Sequence, residues 1–496
     1  DDMRMTGKRH PYASSFKIGL TKDLKIKAFE AEFLQNSGAA ADLSPAIAER
    51  TLFHATNSYF IPNVKTTVYS CKTNLPPNTA FRGFGGPQGM FVIESAIAKA
   101  ADALGIDKSK IQEANLLEEN NEFSYGQIAK EVQAKNTWFS AKEKFDLEKL
   151  KKEVEIFNTE NQLYKKGISL MPIAFGISFT NTSMNHARAL IHIYQDGSVG
   201  VSTGAVEMGQ SVNTKMLQVA QDILGIAASK LKIETTNTTR VANTSPSAAS
   251  STADLNGKAV EMACNSLIKR LTKVAAKMLL SSEEKIHFKQ DFIFVDGKKS
   301  ELTWNTLIAQ AMLERVSLSE NAHYATPIIN FDKTKEKGHP FAYHVYGTAI
   351  TTVTVDCIRG IYEIENVKIV HDFGKSMNIG IDIGQVEGAL VQGIGWMTME
   401  EISYNKEGKL LSNSLSTYKI PDIFSSPKII ETIPLETAGN EMAIRKSKAV
   451  GEPPLMYGIG VYFAIQQAVK EFNPNYKLKF HAPFTPEKVL MGLYEK

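Results

Sequence analysis

The chain reads as an α+β protein of two domains, the second built on an internal pseudo-repeat. Three features of the sequence support this. Short runs alternate apolar and polar positions with period two, as in Phe16, Ile18 and Leu20, then Leu24, Ile26 and Ala28. Other runs carry apolar residues at helical spacing, notably 89–104 and 457–472. A series of strand, strand and helix recurs, first within 173–224 and again within 347–399, which points to α+β layers used twice.

Taken in order, the alternation over 15–35 predicts a hairpin turning near Thr21 to Asp23, and Ser44 is an N-cap candidate for a helix running to about Asn57. That helix carries Arg50 and His54 one turn apart. A strong helix is expected over 89–104, and the charged, helix-forming stretch 120–166 ends at a domain boundary near Lys165 to Gly167. The first domain is thus residues 1–165, and the second is 166–496, with halves of about 166–335 and 336–496. Within the second domain, strands are expected over 173–180, 190–202 (a hairpin at Asp196 and Gly197), 347–355 and 362–371. Helices are expected up to Leu224, over 385–399 and from about Tyr457 to Phe472.

Composition narrows the function. With 496 residues, 43% hydrophobic and 22% charged, the chain suits two or more packed domains rather than disorder. The net charge of +3 is the balance of 56 basic and 53 acidic residues with no dense basic block, which argues against nucleic acid as partner. No apolar run reaches the roughly 18 to 20 residues of a membrane helix, so a soluble, cytoplasmic protein with no membrane partner is expected. The three cysteines, Cys71, Cys264 and Cys357, are too far apart for a local zinc or iron–sulfur loop and read as reduced, structural thiols. The chain opens on Asp1 and runs at once into patterned sequence, from which an upstream part, removed or carried on another chain, is expected.

Three loops have compositions that suit a site. Asn78 to Gln88 holds three glycines within four residues, freeing backbone N–H groups at a helix N-terminus for an anion or an electronegative ligand. The same loop is equally a tight turn, and Phe84 within it is either a plug in the core or a ring face for a flat ligand. Asn243 to Gly257 is rich in small and hydroxyl residues that can approach a bulky ligand or form an ordinary loop. Lys448 to Leu455 sets Glu452 between Gly451 and Pro453, which biases it toward an extended conformation on a stiffened turn. By residue type alone, Glu452 is either a carboxylate favouring a helix's positive end or a general base aimed into a pocket.

These segments together resemble the molybdenum-binding part of the xanthine dehydrogenase and aldehyde oxidase family. The resemblance rests on Thr79-Ala-Phe-Arg-Gly-Phe-Gly-Gly-Pro-Gln88, Glu207-Met-Gly-Gln210, Thr244 to Gly257, Ile383-Gly-Gln-Val-Glu-Gly388 and Lys448-Ala-Val-Gly-Glu-Pro-Pro454, five motifs in the family's order. It implies a molybdopterin cofactor between the two domains, with molybdenum carrying oxo, sulfido and hydroxyl ligands and taking no ligand from the protein. Arg82, Phe84 and Gly85 would face the metal's oxygens, with Ala248 and Ala249 on the reactive side. Gln210, Ser250, Ser251, Thr252 and Gln385 would hydrogen-bond the pterin and its phosphate, Ser251 and Thr252 at positions that vary in the family. Phe84 and Phe179 would sandwich a heteroaromatic ring, Thr180 would bond its polar edge, and Arg50 would stabilise negative charge on a purine. Glu452, in a dry pocket, would be the general base in hydroxylation of xanthine or hypoxanthine to urate with water-derived oxygen.

The resemblance further implies partners: 2Fe-2S and FAD modules on other chains or segments, and the upstream part of the molybdenum domain, in an oligomeric enzyme with NAD or oxygen as final acceptor. Competing readings are a related hydroxylase of nicotinate, another N-heterocycle or an aldehyde, and a catalytically inactive scaffold subunit.

Overall fold

Among the residues that the computed structural model describes, 2–234 and 236–495, one series of elements occurs three times rather than twice. Each series is an antiparallel strand pair, a helix, a third strand parallel to the second, a loop and a second helix. The first unit comprises strands Tyr12–Leu20 and Ile26–Gly38, helix Ser44–Phe53, strand Val64–Lys72 and helix Gly86–Leu104. The second has strands His186–Ile193 and Val199–Thr203, helix Val212–Leu224, the short strand Leu231–Ile233 and helix Thr252–Met278. The third has Tyr343–Asp356 and Tyr362–His371, helix Ile379–Thr398, strand Ile429–Pro434 and helix Gly458–Phe472.

The hairpin forms where expected, Leu24 N–H closing the turn on the Thr21 carbonyl at 3.1 Å. Its second strand buries Ile26, Phe29, Ala31 and Phe33. The helix after it ends four residues early, at Phe53, and Ser44 is its first residue rather than its cap: Ser44 Oγ is engaged by His10 Nε2 at 2.7 Å. Proline in the first turn needs no N–H there, so the helix starts without a side-chain cap.

The boundary expected near 165–167 falls inside a strand. Tyr164–Ile177 pairs antiparallel with Tyr343–Asp356 along its whole length, so residues expected to open the first half of the second domain complete the sheet of the third unit. Charge at the expected boundary lies at the strand's rim, where Lys166 meets Glu365 at 2.9 Å. Both faces of this sheet are covered, which is why its strands read as continuous apolar runs. Met171, Ile173, Phe175 and Ile177 join the core that contains helices Ile379–Thr398 and Gly458–Phe472, with Phe175 also packed on the His54 ring, while Ile168, Leu170 and Ala174 join the core that contains Trp138. A third core surrounds the long helix Thr252–Met278. Cys264 and Cys357 are buried and unpaired, as structural thiols, and burial pushes the Cys264 thiol up to about 12. No helix among the described residues is long and apolar enough to cross a membrane.

Two glycines let the third unit's helices close on each other. A Cβ at Gly393 would lie 2.1 Å from the Leu455 carbonyl oxygen, and one at Gly458 would lie 2.2 Å from the Gly393 carbonyl carbon. Gly393→Val therefore lowers the thermal midpoint, by a loss of about 1–3 kcal/mol or more. Gly384→Ala, on the same helix with nothing within 4 Å, stays within about 0.5 kcal/mol of wild type, and differential scanning fluorimetry of the two compares them.

Candidate active site

Each unit sends out a loop between its parallel strand and its second helix, and the three loops meet at one carboxylate. The first-unit loop, 73–85, presents the Gly83 N–H to Glu452 Oε1 at 3.1 Å. The second-unit loop, described from 236 to 251, presents Ser250 Oγ to Glu452 Oε2 at 2.9 Å. The third-unit loop, 435–457, carries Glu452 itself. Arg82 ties the first loop to the third by donating from Nε to the Gly451 carbonyl and from Nη1 to Gln392 Oε1 at 3.1 Å.

Glu452 is half-buried, and it is not extended. Despite Pro453 it lies in the right-handed helical region, φ −95° and ψ −41°, at the head of the 3-10 turn Pro453–Tyr457. Its contacts outweigh the pre-proline preference: its N–H donates to Ser250 Oγ at 2.8 Å, and its carbonyl accepts from Leu455 N–H at 3.1 Å. Below it, Lys448 Nζ and Asp372 Oδ2 form an ion pair at 2.5 Å, with side chains 2% and 0% exposed. Asp372 also accepts from Thr437 Oγ1 at 2.9 Å and Gly374 N–H at 3.1 Å, and Lys448 also donates to the His344 carbonyl.

Arg50 is 1% exposed. It donates to the backbone carbonyls of Gly176, at 3.1 Å, and Ser178, directly beneath Phe179 and Thr180, and its Nε has no partner among the described residues. His54 braces the same strand end, accepting from Gly176 N–H at Nε2, which assigns the proton to Nδ1 facing the Arg50 carbonyl. Burial pushes His54 well below its ordinary value, with Arg50 adding to the fall, so the ring is neutral. Burial likewise draws Arg50 and Arg82 down, opposed by the charge of Glu452, which lies within electrostatic reach of both.

The remaining sequence-expected residues divide. Phe84 and Phe179 are half-buried and make no ring contact with each other among the described residues, while Thr180 is buried. Gly85 is required by packing: at φ 92°, a Cβ would meet the Ile47 carbonyl oxygen at 2.2 Å. Gln210 turns back on its own loop, donating to the Val206 carbonyl at 2.8 Å. Ala248 is exposed and Ala249 half-exposed, Ser251 caps helix Thr252–Met278 without a side-chain bond to it, and Gln385 is half-exposed. Ser250, expected at the pterin, bonds Glu452 at both its carboxylate and its main-chain N–H.

Sequence reasoning missed several members. Lys448 carries no role by residue type, and the loop expected to offer N–H groups to an anion offers the Gly83 N–H to a carboxylate of the chain itself. Arg9 had no local signal: from the far end of the chain it donates to the Arg82 carbonyl at 2.8 Å and lies over Phe81 and Trp396. Burial pulls Arg9 down to about 10, against the charges of Glu400, Tyr418 and Glu452. Asp254, in the first turn of helix Thr252–Met278, was missed too. It receives hydrogen bonds from Tyr343 OH at 2.7 Å and Ile444 N–H at 3.0 Å, joining the second and third units behind the site.

Burial outweighs those bonds and raises Asp254 to about 6 from its ordinary 3.8. A carboxyl raised on folding contributes stability that is complete below about pH 4 and lost as pH rises through about 6. Asp254 therefore destabilises by about 3 kcal/mol across that window, and urea titrations from pH 4 to 7 detect the slope as a difference between wild type and Asp254→Asn, which lacks it.

Comparison with known proteins gives consistent matches. Profiles of the molybdopterin cofactor-binding domain match residues 140–427 and 1–116. Xanthine dehydrogenase/oxidase of Felis catus is 41% identical over 496 residues, 99% of this chain and 36% of that protein. Xanthine dehydrogenase of Dictyostelium discoideum is 39% identical over 495 residues, 98% of this chain and 35% of that protein. The chain thus spans just over a third of the length of the curated relatives it matches. Among solved structures, quinoline 2-oxidoreductase from Pseudomonas putida 86 superposes with a TM-score of 0.87 at 20% identity, covering 100% of this chain and 63% of that one. An aldehyde oxidoreductase from Desulfovibrio desulfuricans superposes at 0.83 with 24% identity, covering 99% and 50%. These last two likenesses establish a shared fold.

Proposed function

The chain belongs to the molybdopterin cofactor-binding domain family, and on that premise we propose that it is the catalytic part of a xanthine dehydrogenase/oxidase-type molybdenum hydroxylase, converting xanthine or hypoxanthine to urate. The relatives bearing that name support the purine substrate. The observation that carries the catalytic reading is the carboxylate of Glu452, held by both oxygens where three loops converge.

The residues suit the cofactor. Gly384 and Gly388, one turn apart on helix Ile379–Thr398, have open space where side chains would begin, and half-exposed Gln385 stands beside them. Gln210 and the first turn of helix Thr252–Met278 supply further donors for a pterin and its phosphate, with Ser251, Thr252, Ala248 and Ala249 along the same loop. Arg82, Phe84 and Gly85 line the first-unit side. When bound, the molybdenum centre supplies activated water and accepts two electrons.

Glu452 acts as the general base. Each of its oxygens accepts one hydrogen bond, from Gly83 or Ser250, and keeps a lone pair for the proton it takes. Phe84 and Phe179 hold the flat ring between their faces, Thr180 bonds its edge, and the Arg50 charge beneath the Phe179–Thr180 turn offsets negative charge developing on the purine. Electrons leave to 2Fe-2S and FAD modules, and an upstream segment completes the pocket. That the chain spans 36% of its Felis catus relative supports such further modules.

In the assembled enzyme, Glu452→Gln lowers xanthine turnover by about 10²- to 10⁴-fold with molybdenum retained, and more than about a tenth of wild-type activity refutes the base. Arg50→Met loses far more on xanthine than on benzaldehyde. Equal loss on both refutes charge stabilisation. Rates of enzyme reduction by xanthine, hypoxanthine, nicotinate and benzaldehyde decide the substrate class, with the two purines fastest.

A further inference from the structure

Ser250 has one hydroxyl proton, and its position determines what the residue can do. The proton is directed to Glu452 Oε2 at 2.9 Å, while Ser250 Oγ accepts the Glu452 N–H at 2.8 Å. A single hydroxyl therefore holds Glu452 at both its main chain and its carboxylate, and has no second proton to offer a pterin. The surroundings are built for this contact. Ala249 and Ser250 are consecutive non-glycine residues in the left-handed region, φ 56° and 54°, a conformation that persists only where neighbours hold it. Across from them, a Cβ on Gly451 would come within 2.7 Å of Ser250 Oγ, so the glycine before Glu452 leaves the space that the hydroxyl needs.

We propose that Ser250 is a positioning residue for the general base: together with the Gly83 N–H it fixes the rotation and depth of the Glu452 carboxylate, and Gly451 is glycine to admit it. This rests on the reading of Glu452 as the base. It assigns Ser250 to catalysis through Glu452 rather than to retention of the cofactor.

The test uses the assembled holoenzyme carrying Ser250→Gly, which adopts the left-handed conformation without strain, alongside Ser250→Ala and Gly451→Ala. For each Ser250 variant, kcat on xanthine falls roughly 10- to 100-fold, the scale of a lost hydrogen bond to a charged group, while KM stays within about 3-fold. Molybdenum and pterin content remain at wild-type levels, and Gly451→Ala reproduces the kcat loss with its cofactor intact. In a Glu452→Gln background, followed as slow single-turnover reduction, Ser250→Gly adds less than about 3-fold. The proposal is overturned by unchanged kcat, by cofactor content that falls in step with activity, or by a full Ser250 loss persisting in that background. Failure of the base itself reads differently, as activity in Glu452→Gln alone.

Discussion

The buried ion pair between Lys448 and Asp372 is the constraint on which the site depends. With both side chains almost fully enclosed, neither charge can be left without the other, and among the described residues their remaining hydrogen bonds go to backbone or to Thr437. Such a pair adds little net stability over an apolar replacement, yet removing one partner costs about 3–5 kcal/mol. Its effect is to fix the start of the Glu452 loop to the end of strand Tyr362–His371, a bond that Lys448 N–H reinforces by donating to the Phe373 carbonyl at 2.8 Å. Four residues on, Glu452 is held at a height and angle set by that anchor. The close approach of Gly393 and Gly458 then fixes the segment that follows it.

The three-fold use of one unit explains why the loops converge. In each unit the strand parallel to its neighbour delivers the chain to the same end of its sheet, and the loop that follows must cross to a helix. Loops are free of ladder hydrogen bonds, so they can offer N–H and hydroxyl groups to a partner. Here the first offers the Gly83 N–H, the second the Ser250 hydroxyl, and the third the carboxylate that accepts both. The site is an assembly of three weak local features, and each is ambiguous without the others.

The polar groups beneath the site follow the rule that burial is tolerated when bonds are made. Arg50, His54 and Asp254 are all enclosed, and each is bonded to backbone that belongs to a different unit or strand. They serve as cross-braces between layers. Of these three side chains, only Arg50 keeps an atom, Nε, without a partner among the described residues.

Sequence alone determined the element types, because period-two and helical spacing are local properties: the hairpin at 12–38, strand 362–371 and helix 458–472 were all legible. It also placed Glu452, Phe84 and Ser250 in motifs whose order carries a family resemblance, and that resemblance added Arg50. The boundary expected at 165–167 lies within a strand whose partner is some 180 residues on, and Glu452, expected to be extended, is helical because a distant serine hydroxyl holds its N–H. Arg9, Asp254 and the Lys448–Asp372 pair became visible only in three dimensions for the same reason. Their roles lie in contacts across 73 to 190 positions of chain, and residue type and spacing carry no record of which distant group will meet them.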